Sequence, residues 1–216
     1  MGARVKKGGV RVILLYGARI SDLPSVSEMA GGCLSPILLE GWIRRHGAPE
    51  ERESVRASLG GLLLLQSAGV VGAISYTDRG RPFLRGGGVE FNLSHTARHV
   101  LCAVGEARVG VDAEELDRAT VSDHVRLSER WFGLAEREKF LQDPSHGQFL
   151  RIWTKKEALV KWTGEGLGTR ERPDSVTAPG EMGVVLRLYE DDGAVVALCA
   201  ERTAEFPPAV EWVKAF

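Results

Sequence analysis

Cysteine is scarce in this chain: three in 216 residues, Cys33, Cys102 and Cys199, with no Cys-x-x-Cys pair. That excludes a disulfide framework and a zinc cluster of the usual spacing, and a reducing, cytoplasmic setting is expected. An excess of one charge sign is also lacking. Lys and Arg number 28 against 29 Asp and Glu, for a formal net charge of −1. Nucleic-acid coat proteins and polybasic membrane binders carry a clear positive excess, so neither nucleic acid nor membrane is an expected partner. Any anionic ligand must be held by a local site. No apolar run is long enough to cross a bilayer. The basic start Met1-Gly2-Ala3-Arg4-Val5-Lys6-Lys7 precedes only the short run Val12–Tyr16, which reads as a buried strand and not as a signal peptide. Lys6 stands where a myristoylation pattern wants Ser or Thr. What is present is an ordinary globular composition, 44% hydrophobic and 26% charged, which excludes disorder of the whole chain.

Strand-like and helix-like segments alternate, which predicts a mixed α/β (α+β) fold. Strands are expected at Arg11–Tyr16, Val89–Leu93, His99–Val104 and Arg108–Asp112, the last three as a β-meander turning at Gly105-Glu106. Closing strands are expected at Val184–Tyr189, Ala194–Ala200 and Val210–Val213, with Asp191-Asp192-Gly193 as a hairpin turn. Helices are expected at Pro36–His46, Pro49–Ala68, about Val121–Trp131, Leu134–Gln142 and Gly147–Thr163. Pro49-Glu50-Glu51 would suit the first turn of the second, Gly69 and Gly164 would stop two of them, and Leu62–Leu65 reads as core. Each half reads as helix-rich material plus a small sheet, compatible with two subdomains meeting near Ala107.

Three clusters bear chemistry. In Val109-Gly110-Val111-Asp112-Ala113-Glu114, side chains two apart on a strand share a face, so Asp112 and Glu114 project together. Such a pair suits Mg²⁺ or Ca²⁺, while a solvated strand end is the simpler reading. In Trp153-Thr154-Lys155-Lys156-Glu157-Ala158-Leu159-Val160-Lys161, Lys156 falls on the apolar stripe of Phe149, Ile152, Trp153 and Val160. A lysine there costs free energy unless its head reaches an anion. Glu157 and Lys161, four apart, are explained as simply by a surface salt bridge. The tail Gly164-Glu165-Gly166-Leu167-Gly168 is either a helix stop or a place for close backbone approach. In Phe91-Asn92-Leu93-Ser94-His95-Thr96 the strand ends in a turn whose free amides would make an anion site, with His95 as a further donor. An ordinary strand-to-turn junction is the plain alternative.

Together these clusters resemble the Sfp-type 4′-phosphopantetheinyl transferases. That family shows, in order, Gly-Lys/Arg-Pro, Phe-Asn-x-Ser-His-Ser/Thr, Gly-x-Asp-x-Glu, a Phe-x-x-x-Glu helix start, and Trp-x-x-Lys-Glu-Ala/Ser-x-x-Lys. Here they stand as Gly80-Arg81-Pro82, Phe91–Thr96, Gly110–Glu114, Phe132–Glu136 and Trp153–Lys161. Five weak motifs in order make a specific signal. The match covers roughly Gly80 to Leu167. The N-terminal third departs: Leu62-Leu63-Leu64-Leu65 stands where the family often has Leu-Leu-Gly and a basic residue.

The resemblance implies two similar α/β subdomains in one monomeric chain, residues 1–106 on the nucleotide side and 107–216 on the metal and catalytic side, related by a pseudo-twofold. It implies transfer of the 4′-phosphopantetheine arm of coenzyme A to a serine of an apo acyl, peptidyl or aryl carrier protein, with release of 3′,5′-ADP, as used in secondary metabolite biosynthesis. Mg²⁺, or Mn²⁺ in its place, would be held by Asp112, Glu114 and Glu157, with Glu157 doubling as base. Lys156 and Lys161 would face phosphate oxygens, Lys161 on the leaving side. Ser94 and His95 would bind phosphates, and Arg81 would reach the nucleotide. Glu136 would orient a water or the incoming serine. Arg44, Arg45 and Arg56 are candidates for the 3′-phosphate. Exposed apolar residues after Asp117, among them Val121, Val125, Leu127 and Trp131, would dock the carrier or pack as helix core. Two rival readings are a Mg²⁺-dependent hydrolase of nucleotide pyrophosphates and a non-catalytic carrier-binding subunit. The carrier, whether of fatty-acid, polyketide or nonribosomal-peptide assembly, is not specified.

Overall fold

In a computed structural model, residues 6–7, 10–117, 123–165 and 174–216 are described. Strands β1 (Lys6–Lys7) and β2 (Val10–Arg11) pair, and β3 (Ile13–Arg19) follows. A helical turn α1 (Val26–Glu28) leads to α2 (Pro36–His46) and α3 (Glu53–Ser67). After the hairpin β4 (Ile74–Tyr76) and β5 (Pro82–Leu84) come β6 (Glu90–His95), β7 (His99–Gly105) and β8 (Val109–Glu115). The chain then runs through α4 (His124–Trp131), α5 (Leu134–Gln142), α6 (His146–Thr163) and the short α7 (Ala178–Met182). It closes with β9 (Val184–Asp191), β10 (Ala194–Glu201) and β11 (Glu211–Trp212). The mixed α/β expectation holds.

Two main sheets organise the molecule. One has the order β11-β3-β7-β6 and the other β8-β10-β9. The seven residues of β7 are all buried, which a strand covered on both faces requires. Val100, Cys102 and Val104 point into a core with α3, whose Leu62–Leu65 are all buried, as expected. Each leucine fully withdrawn from water contributes ~1.5–3 kcal/mol. The alternate residues Leu101 and Ala103 point the other way, onto Val109, Val111 and Ala113 of β8 and Val196 and Leu198 of β10. β7 thus partitions two cores.

The expected meander does not form. β8 leaves β7 and pairs antiparallel with β10, Asp112 opposite Ala197. Its apolar face is needed against the back of β7, and its Val111 amide donates to Asn92 Oδ1 at 2.8 Å, bridging the sheets. The expected Asp191–Gly193 turn does form: Asp192 and Gly193 both have positive φ, 50° and 76°, the geometry a tight two-residue hairpin requires.

Helix α3 begins four residues later than expected, at Glu53. Arg52 is extended, and Glu51 is engaged elsewhere, accepting from the amides of Val26 and Ser27 at 3.1 and 3.3 Å. The first strand also shifts, ending at Arg19 instead of Tyr16. β11 runs parallel beside β3, so a late segment completes the first sheet. Helix α6 starts at the Ser145 cap and stops at Gly164 in the left-handed region. Val121 and Gly166-Leu167-Gly168 lie outside the described residues, as do Met1–Val5. No described helix is long and apolar enough to cross a membrane.

Candidate active site

A cleft of about 790 Å³ opens between α3, the ends of β6 and β8, and α6. Strand alternation aims its acids. Val111 and Ala113 are in the core, so Asp112 and Glu114 face the cleft, as the sequence suggested. Gly110 explains how close α6 comes. A Cβ there would overlap the Ala158 carbonyl oxygen and stand 2.6 Å from the Trp162 amide nitrogen, both of them backbone atoms of α6. Only glycine permits that approach, and the approach brings Glu157 and Lys161 over β8.

Three elements meet on one carboxylate. Lys161 Nζ on α6 donates to Asp112 Oδ1 on β8 at 2.7 Å and to Ser94 Oγ on β6 at 2.9 Å. Ser94 Oγ donates to the same Asp112 Oδ1 at 3.0 Å. Trp153 Nε1 donates to Glu114 Oε1 at 3.1 Å and so restrains the second acid. Glu157 lines the cleft one turn before Lys161.

Asp112 Oδ2 is buried and receives no hydrogen bond. A buried carboxylate oxygen left so is costly, and a hard divalent cation is the partner its chemistry fits. Asp112, Glu114 and Glu157 offer a suitable oxygen set on one cleft. Among the described residues no three His, Cys, Asp or Glu side chains already converge as a metal cage. Mg²⁺ is usually held by one or two carboxylates together with substrate oxygens and waters.

Lys156 and Glu136 lie elsewhere, which corrects two expectations. Lys156 Nζ donates to Glu136 Oε2 at 2.8 Å, with both side chains essentially without solvent exposure. Glu136 also accepts from the amides of Gly133 and Ser175, each at 2.7 Å. The anion that Lys156 needs on its apolar stripe is thus an internal one on α5, and neither side chain lines the cleft. The turn after β6 departs from expectation too. The Thr96 amide donates to His99 O, and Thr96 Oγ1 accepts from the amides of Arg98 and His99, so these amides are spent within the turn. His95 does line the cleft, and burial, with Lys161 second, holds its pKa below the usual imidazole value.

A narrower arm of about 310 Å³ continues past Leu93, Glu157 and Lys161 to Arg79, Arg81, Pro82 and Gly164. Arg81 is nearly buried there and pairs with Glu90 at 2.7 Å. Of the three N-terminal arginines, Arg45 approaches this arm. It lies 4.8 Å over the Tyr76 ring, with Nη2 2.9 Å from where a Cβ of Gly80 would be. Arg44, one position earlier on α2, points out to Glu40 at 3.8 Å. Arg56 donates to the carbonyls of Leu23 and Pro24 and lines a separate cavity with Arg98, His99 and Asp192. Arg44 and Arg56 are therefore not lining residues of either arm. Two groups passed over in the sequence, Arg79 and Arg108, stand at the narrow arm; the signal was a basic residue directly before a motif, Gly80-Arg81-Pro82 in one case and Val109-Gly110 in the other.

Residues 108–199 match the model of the 4′-phosphopantetheinyl transferase superfamily. The chain is 35% identical over 163 residues to the 4′-phosphopantetheinyl transferase HetI of Nostoc sp., covering 68% of this chain and 67% of that protein. It is 32% identical over 152 residues to AcpT of Escherichia coli strain K12, covering 66% and 71%. Sfp of Bacillus subtilis strain 168 is 28% identical over 138 residues, 57% and 59% of the two chains. The chain belongs to the 4′-phosphopantetheinyl transferase superfamily.

Proposed function

We propose that this chain transfers the 4′-phosphopantetheine arm of coenzyme A to a serine hydroxyl of an apo acyl or peptidyl carrier protein. The observation that carries this reading is the meeting of Ser94, Asp112 and Lys161. They come from three separate motifs and converge beside Glu114 and Glu157 in one cleft. The serine oxygen bonds to the pantetheine-bearing phosphorus while the bond to the bridging oxygen breaks. 3′,5′-ADP departs with that oxygen, and the serine proton goes to a carboxylate.

Glu157 lines both arms of the cleft and is the side chain we assign to accept the proton. Lys161 is assigned to the leaving oxygen, where a positioned ammonium offsets developing charge. Ser94 and His95 bind phosphate oxygens at the β6 end. Mg²⁺ or Mn²⁺ would be held by Asp112, Glu114 and Glu157, and when bound supplies charge neutralisation to the diphosphate. Trp153 restrains Glu114 through its Nε1–H donated to Oε1. Lys156 and Glu136 act through the fold by fixing α6 against α5. We divide the chain into a nucleotide-side half, residues 1–106, and a catalytic half, residues 107–216. We also propose that the chain works as a monomer in the cytoplasm.

The test is to incubate the chain with coenzyme A, Mg²⁺ and a panel of apo carriers and to weigh the carriers by mass spectrometry. A gain of one phosphopantetheine on serine is expected. Breakdown of coenzyme A without any carrier, and no carrier modification, would overturn the reading in favour of a hydrolase.

A further inference from the structure

Ser94 reaches Asp112 across a boundary between sheets. β6 belongs to the first sheet and β8 to the second, so no ladder of backbone bonds sets the spacing of these two strands. Side chains set it instead. Alternate residues of an extended segment share a face, and Asn92, Ser94 and Thr96 all bond to β8. Asn92 Oδ1 accepts from the Val111 amide at 2.8 Å. Ser94 Oγ donates to Asp112 Oδ1 at 3.0 Å. Thr96 Oγ1 donates to Glu115 Oε1. These three contacts are rungs that run in the same order along both segments. The middle rung is the one that Lys161 joins.

The outer rungs are anchored. β8 is an edge strand of its sheet, and the buried Asn92 takes up one of its outward amides. Glu115 is buried as well, and its carboxylate accepts from the Arg98 amide at 3.0 Å and from the Arg98 guanidinium. Thr96 Oγ1 accepts in turn from the amides of Arg98 and His99 at 3.1 and 2.9 Å. The turn after β6 is thereby fastened to the end of β8 through one carboxylate. Charge-assisted bonds of this kind are the strong ones, and a buried carboxylate that loses a donor is costly.

The two strands carry different parts of the proposed chemistry. Ser94 and His95, assigned to phosphate oxygens, sit on β6. Asp112 and Glu114, assigned to the cation, sit on β8. A cation that touches both the acids and the phosphates registers the gap between the strands.

We propose that Asn92 and the Thr96–Glu115 pair are positioning residues, which fix the gap between β6 and β8 so that coenzyme A and the divalent cation strengthen each other's binding. The proposal rests on the coenzyme and metal assignments above. A misplacement of about 1 Å costs on the order of 10²-fold in rate, so turnover depends on the same gap.

Mn²⁺ titration of the full chain, followed by electron paramagnetic resonance with and without coenzyme A, tests it. In the wild type the coenzyme should tighten Mn²⁺ by about 10-fold or more, within the usual range of coupling between two ligands. Thr96→Val should remove most of that tightening. Its affinity for Mn²⁺ alone should stay within about 3-fold of the wild type, because both acids of β8 are untouched. Thr96→Ser keeps the hydroxyl and should restore the coupling, which a loss of general stability would not explain. Asn92→Ala removes the other outer rung and should show the same loss, so it decides the matter if Thr96→Val does not fold. Full coupling in Thr96→Val or Asn92→Ala, or no recovery in Thr96→Ser, would overturn the proposal. If coenzyme A leaves the Mn²⁺ affinity of the wild type unchanged, the positioning role falls while carrier modification still decides the transfer reading. If the coupling is present and lost as expected but no carrier is ever modified, the transfer reading falls and the positioning role stands.

Discussion

Lys156 on α6 and Glu136 on α5 form a 2.8 Å ion pair with essentially no solvent exposure on either side. Its partners on the carboxylate are two backbone amides, so Glu136 is a structural hub that joins the α5 start, the Ser175 turn and α6. Removing one member of a buried pair leaves an uncompensated charge, which costs about 3–5 kcal/mol. Lys156→Met should therefore lower the unfolding free energy obtained from urea titration by that amount. Adding Glu136→Gln should recover part of it. A stable Lys156→Met chain that had lost only turnover would restore the phosphate role for Lys156.

Gly110→Ala places a methyl group against the backbone of α6 at Ala158 and Trp162. Backbone cannot move aside as a side chain can, so overpacking should cost about 1–3 kcal/mol or more. Because β8 carries Asp112, the same displacement should reduce transfer more steeply than Val111→Ala, which leaves a cavity without pushing the helix. Denaturation curves and turnover measured side by side would check this.

Asp112→Asn keeps the shape but removes the charge that faces Lys161 and the proposed cation. Losing several kcal/mol of charge stabilisation predicts a fall in turnover of ~10²-fold or more. Chelation of divalent cations should abolish transfer by the wild type, and Mn²⁺ should restore it. Turnover by Asp112→Asn at wild-type rates would remove the metal assignment. Binding of Mn²⁺, followed by electron paramagnetic resonance, should be lost in the same variant.

His95 has its pKa lowered in the folded chain by burial and by Lys161. The unfolded chain then binds more protons than the native one in the window from pH 6.5 downward to the native value, so stability should rise with pH across that window. His46 and His124 are lowered as well, chiefly by burial, and contribute with the same sign. Urea titrations at several pH values should show a shallower slope for His95→Gln, not a flat one. An unchanged slope would mean that His95 titrates as it does in the unfolded chain.

Much of this was readable from local pattern. The periods of α5 and α6 and the alternation at Asp112 and Glu114 are set by neighbours a few residues away, and Leu134–Gln142 appears with the bounds expected. The misplaced meander has a different origin. β8 could pair with its neighbour β7 or with β10, whose Ala197 stands opposite Asp112 but far along the chain, and no local signal decides between them. The sequence marked Lys156 as needing an anion but could not name Glu136, which arrives on another helix. Arg44 and Arg45 were indistinguishable by composition. Successive helical residues point about 100° apart, so one meets Glu40 and the other Tyr76.

The parallel seam of β11 with β3 has a bearing on how the molecule is made. During synthesis β3, β6 and β7 of the first sheet are translated long before residues 205–213, whose backbone bonds to Arg11, Ile13 and Gly17 cover the outer margin of β3. Until they emerge from the ribosome, β3 presents a bare row of amides and carbonyls, the kind of surface that recruits neighbouring chains. Truncation before Glu205 should accordingly trap the nascent product in aggregates even though every cleft residue is intact.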